Sequence, residues 1–134
     1  MHCTATAQTA TVHSILRYWR EKLGWKMPGY HYIISADGTI TQLAEDERIC
    51  NGATGWNSTS LHVAYIGGII KTANGIRSHD TRTAAQKLAL ERLLSALHGR
   101  YPKAFIEGHR DLPNVGKECP CFDAIPEYEH IRNS

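Results

Sequence analysis

Gly29–Leu43, GYHYIISADGTITQL, is the stretch whose reading decides how this chain folds. Tyr30, Tyr32 and Ile34 alternate with His31, Ile33 and Ser35, the two-residue rhythm of a strand. Asp37-Gly38 then supplies a dipeptide suited to the backbone of a tight hairpin turn. The stretch therefore reads as a β-hairpin, and the other elements must pack around it.

Outward from the hairpin, LHVAYIGGI (61–69) reads as a buried strand ending at Gly67-Gly68. KAFIEGH (103–109) reads as a last short strand, and Met1–Thr6 as a strand at the start. Val12–Leu23 carries apolar residues at 12, 15, 16, 19 and 23, a helical stripe with Thr11 as cap and Gly24 as stop. A longer helix is expected from about Arg82 to His98. Thr83 with Gln86 makes its capping box, Leu90, Leu93, Leu94 and Leu97 its stripe, and Gly99 its stop. Residues 50–60 and 71–80 read as polar loops, and the tail from Leu112 as mostly irregular. No repeat or linker interrupts residues 1–134. The expectation is one α/β domain, a central mixed β-sheet packed by helices.

Bulk properties exclude several functions. The chain has 134 residues, 42% hydrophobic and 21% charged, enough for one cored domain. Lys and Arg number 15 against 13 acidic residues. That weak basic bias lacks the concentrated face a nucleic-acid binder needs. No apolar run is long enough to span a bilayer. No basic-then-apolar leader opens the chain, so it is expected to be made in the cytoplasm, as a monomer. Cysteines at 3, 50, 119 and 121 are then expected as free thiols or metal ligands rather than disulfides.

The chemistry-bearing residues leave three readings of Cys119-Pro120-Cys121: a redox pair, a metal site or a structural turn. The C-x-C spacing is not that of thioredoxin-like sites. Two cysteines alone are weak evidence for zinc, which wants further good ligands. Of eight histidines, His13 and His98 fall on helices, and His79 and His130 in polar segments. His31 is well explained by packing in the hairpin, and His62 lies in a strand. His109 stands out because it ends a strand where the chain enters a loop, the usual place for a site. His2 reads as a terminal residue that frays. H-E-x-x-H, G-x-S-x-G and the phosphate-binding loop motif are all absent.

Four segments taken together resemble the zinc-dependent N-acetylmuramoyl-L-alanine amidases, the type 2 amidase and peptidoglycan-recognition family, and most of all its small phage lysozyme-type members. They are HCTAT (2–6), GWKMPGYHYIISADGTI (24–40), STSLHVAYIGGI (58–69), and GHRDL (108–112) with GKECPCFD (116–123). The resemblance implies that His2, His109 and Cys119 hold Zn2+. Three protein ligands would leave a fourth position open, the mark of a catalytic site. It also implies that Tyr30 and Lys117 act on the developing oxyanion, while His31 and Cys121 do not touch the metal. Trp25, Trp56, Asn57 and His62 are the expected substrate contacts, since aromatic faces suit sugars and peptide stems. The implied substrate is peptidoglycan, with no nucleic acid or membrane partner. The implied setting is a phage or prophage endolysin that reaches the wall by a separate release route.

His62 departs from the family pattern, in which related phage enzymes carry a small residue. The other departure is at the start: family members have several strand residues before the first zinc histidine, and here Met1 alone precedes His2. A frayed first strand and weak zinc binding are expected from that. Competing classes are a non-catalytic peptidoglycan-binding module, a host wall-recycling amidase, and a small structural zinc protein with four protein ligands.

Overall fold

The computed structural model describes residues 1–113 and 115–132. A four-stranded sheet runs through its centre in the order β1-β4-β2-β3. Strand β1 (His2–Cys3) lies parallel to β4 (Val63–Tyr65), and β4 parallel to β2 (Tyr32–Ile34). Strand β3 (Ile40–Gln42) returns antiparallel beside β2, so the sheet is mixed. The hairpin read from Gly29–Leu43 is present, with a shorter ladder than the alternation implies.

All three residues of β2 are buried. Helices cover both faces, so alternation here divides two cores rather than core from solvent. Tyr32 and Ile34, with Val63 and Tyr65, pack under α2 (Ala84–Arg100) against Leu90, Leu93, Leu94 and Leu97. Ile33 and Ile66 pack on the opposite side against Ile15 and Trp19 of α1 (Val12–Glu21). Each leucine so buried contributes about 1.5–3 kcal/mol. Both helices begin at capping boxes, Thr11 with Ser14 and Thr83 with Gln86. Helix α2 runs through Gly99 to Arg100, just past the expected stop, because the Tyr101 N–H still donates to Leu97 O.

Three expectations are corrected. Residues 71–80 are not a simple loop: β5 (Ile69–Thr72) and β6 (Gly75–Ser78) form a second hairpin. Asn74-Gly75 is a hairpin dipeptide. Every residue of β6 is exposed, however, so no apolar alternation marks the strand. KAFIEGH is not a strand: its end bonds to Met1, with the Met1 amine donating to Glu107 O and the His109 N–H to Met1 O. The tail is not irregular throughout, since α3 (Ala124–Glu127) and α4 (Glu129–Arg132) follow. They are too short for periodicity to show, and are held by Phe122, Tyr128 and Ile131 in the α2 core.

Buried polar groups pin the layers. Gln86 Nε2 donates to Ile34 O (3.1 Å) and Ile66 O (3.0 Å), joining the start of α2 to the ends of β2 and β4. The Arg82 side chain, 2% exposed, binds Asp80 and Glu127 and lies 3.4 Å over the Phe122 ring. It anchors the segment that follows Cys119.

Candidate metal centre

β1 carries His2, a one-turn 3-10 helix (His109–Asp111) carries His109, and the loop before α3 carries Cys119. Backbone bonds stitch these three pieces together in pairs. The His109 N–H donates to Met1 O (2.9 Å) and the Arg110 N–H to Cys119 O (2.8 Å). The Cys3 N–H donates to Cys119 Sγ (3.1 Å). The expected fraying of the first strand is therefore absent, and His2 is only 3% exposed. Gly68 makes room for this arrangement. Its φ is +103°, and a Cβ there would lie 2.5 Å from Cys3 Sγ.

One ligand atom from each of His2, His109 and Cys119 lies within 4.8 Å of the others. His2 Nδ1 and Cys119 Sγ are 3.9 Å apart, close to the roughly 3.5 Å that tetrahedral bonds of about 2.1 and 2.3 Å would give. The donor set suits zinc chemically as well. Hydrogen bonding, led by Cys3 and followed by His109, outweighs burial and holds Cys119 far below the usual thiol range, as a thiolate. Burial lowers His2 to about 4, so its imidazole is neutral at pH 7. A thiolate and neutral imidazoles are the protonation states a metal requires. Among the described residues this is the one such cluster, and it has three members.

The expected partners fall at different distances from it. The Tyr30 ring lies 5.0 Å from that of His2, and its hydroxyl donates to Cys3 O (3.2 Å). Burial first, then the charge at Cys119, raises Tyr30, so it stays a protonated donor. His31 turns the other way, bonding Arg48 O through Nε2 and accepting the His62 N–H at Nδ1. Lys117 is exposed on the loop two residues before Cys119. A cleft of about 970 Å³ opens beside His2 and His109, lined also by Trp56, Asn57, Leu97 and Phe105. Trp56 is 38% exposed on its wall. Trp25 is half-buried and packs against Trp19, 6.0 Å between ring centroids. His62 lines the cleft but is 3% exposed, with Nδ1 2.9 Å from His2 Nε2 and Nε2 2.9 Å from Asn57 Oδ1. Burial, then the neighbouring His2, lowers it to about 3. The bond between His62 and His2 is the feature spacing conceals, because the pair lie 60 residues apart.

Residues 1–122 match the family model described as N-acetylmuramoyl-L-alanine amidase, and the chain belongs to that family. It is 37% identical to the endolysin of Enterobacteria phage K11 over 124 residues, 92% of this chain and 79% of that protein. The endolysin of Escherichia phage T7 is 34% identical over 125 residues, with the same coverage. Among solved structures, the Ph2119 endolysin from the Thermus scotoductus bacteriophage superposes with a TM-score of 0.77 at 25% identity, over 98% of this chain and 80% of that one. No helix among the described residues is long and apolar enough to cross a membrane.

Proposed function

We propose that the chain is a zinc-dependent amidase that cuts peptidoglycan between N-acetylmuramic acid and L-alanine, and acts as a phage or prophage endolysin. The observation that carries this reading is the convergence of His2, His109 and Cys119, two imidazoles and a thiolate, where His2 and His109 border a cleft. When bound by these three residues, zinc supplies Lewis acidity and makes water acidic enough to be a nucleophile near neutral pH. The protein's own part is to orient and stabilise. The Tyr30 hydroxyl, beside His2, has the role of donating to the carbonyl oxygen as negative charge develops there, turning to it from Cys3 O. The Lys117 ammonium, on its exposed loop, adds a second donor and a proton for the leaving amine of alanine. The Trp56 face offers a platform for a sugar ring or peptide stem, with Asn57 beneath it and Trp25 farther back.

On this reading the enzyme works as a monomer on the wall, without nucleic acid. It is made in the cytoplasm and reaches the wall by a separate release route. Mass spectrometry of digested peptidoglycan, with and without a chelator, tests the proposal. Stem peptides with a free alanine amine and intact glycan strands are expected, and are lost with chelator. Stems still joined to muramic acid would overturn the activity, and binding without cleavage would make the chain a recognition module.

A further inference from the structure

We propose that His62 and Asn57 form a positioning relay that fixes the tautomer and orientation of the first metal ligand, His2. The inference rests on the metal-enzyme reading above and adds to it how that ligand is aimed. Asn57 Oδ1 accepts the Ala53 backbone N–H at 2.8 Å. A backbone N–H can only donate, so this bond sets which way the Asn57 amide points. The same oxygen lies 2.9 Å from His62 Nε2, which must therefore carry the proton. A neutral imidazole has a single N–H. His62 Nδ1 is thus an acceptor, and the His2 Nε2–H donates to it at 2.9 Å. His2 is left with its lone pair on Nδ1, the atom 3.9 Å from Cys119 Sγ. One backbone amide at Ala53 thereby selects the nitrogen that faces the metal.

The His62 ring is held as firmly as its protons. Its face stacks on His31 at 5.8 Å between centroids, and a Cβ added at Gly52 would fall 2.5 Å from ring atoms Cγ and Nδ1. The His62 backbone N–H donates to His31 Nδ1 at 3.0 Å. A fourth-ligand role does not fit, because the acceptor nitrogen of His62 is occupied by His2. A direct substrate contact does not fit either, since both ring nitrogens are bonded inside the protein. Ligating histidines commonly use a carboxylate or carbonyl for this purpose. A neutral imidazole orients His2 without adding negative charge to a site that already holds a thiolate.

Three measurements test the relay. Long-range 1H–15N spectra of the metal-free protein should show His2 and His62 both protonated at Nε2, and an Nδ1-protonated His2 would overturn it. In chelator competition, His62→Phe and Asn57→Leu should weaken zinc binding roughly 10- to 100-fold. Asn57→Asp keeps the acceptor and should stay within about threefold of wild type on the same argument. The cobalt-substituted absorption spectrum should change in the first two variants and not in the third. Wild-type zinc affinity and cobalt spectra in His62→Phe, with hydrolysis lost, would make His62 a substrate contact instead. Equal losses in Asn57→Asp and Asn57→Leu would reduce the loop to a packing role. Failure of the unaltered chain to bind zinc would sink the metal reading itself, whereas wild-type binding with indifferent variants sinks only the relay.

Discussion

Lys117 is the residue on which the proposed chemistry can be separated from the metal. It is exposed, and lies outside the group of residues able to hold an ion. Lys117→Ala should cut turnover roughly a hundred- to thousandfold, the usual effect of removing one donor to a developing oxyanion. Zinc stoichiometry should not change. Hydrolysis rates and metal content measured on the same preparation check this, and parallel loss of zinc would assign Lys117 to the loop rather than the reaction. His2 shows how a single residue misleads when it is read from its place in the chain. Its position suggests a frayed end, yet its ring is buried against Tyr30, His62 and His109. His31 is the converse case, a histidine in a strong hairpin whose two nitrogens serve only the main chain.

Elements were legible where their signal is local. The α1 and α2 stripes, their capping boxes and the first hairpin all follow from neighbours a few residues apart. The β5–β6 hairpin was hidden because its exposed strand buries nothing that would pattern the sequence. The Gln86 side chain shows what binds elements into layers. Besides its bonds to Ile34 O and Ile66 O, its Oε1 accepts the Thr83 N–H at 2.9 Å. Gln86→Leu keeps the volume but leaves two buried carbonyls and a helix-cap N–H without that partner. Ile34 O keeps the Ile66 N–H, so a loss of about 1–3 kcal/mol is expected from the groups that do lose their partner. Urea unfolding measures it, and a loss below about 1 kcal/mol would mean that other groups replace those bonds.

For the molecule as a whole, the Arg82 cluster decides whether the C-terminal segment stays docked. Arg82→Ala should cost about 3 kcal/mol, the low end for breaking a buried pair, because Asp80 and Glu127 still reach solvent. The loss should depend on pH. Burial would raise Asp80, but hydrogen bonds from Arg82 outweigh it and hold the carboxyl below its usual value. A folded value below the unfolded one gives stability that is fully present above about pH 4. It disappears as pH falls through the folded value. The gap between wild type and Arg82→Ala should therefore narrow in acid, and a gap constant from pH 7 to pH 3 would contradict the assignment. Unfolding curves across that range provide the check.

What the amino-acid sequence determined by itself is local: periodicity, caps, one hairpin, and a set of residues whose kinds and order resemble a zinc amidase. Only the tertiary structure decided that His2 is firmly held, and that His62 stands behind it with its nitrogens already bonded. The reason is distance along the chain. Cys3 and Cys119 are 116 residues apart when the backbone of one meets the sulfur of the other. Helical and strand patterns express free energies between near neighbours. A centre assembled from both ends of the described chain depends on contacts that exist only once the sheet and helices have closed around it.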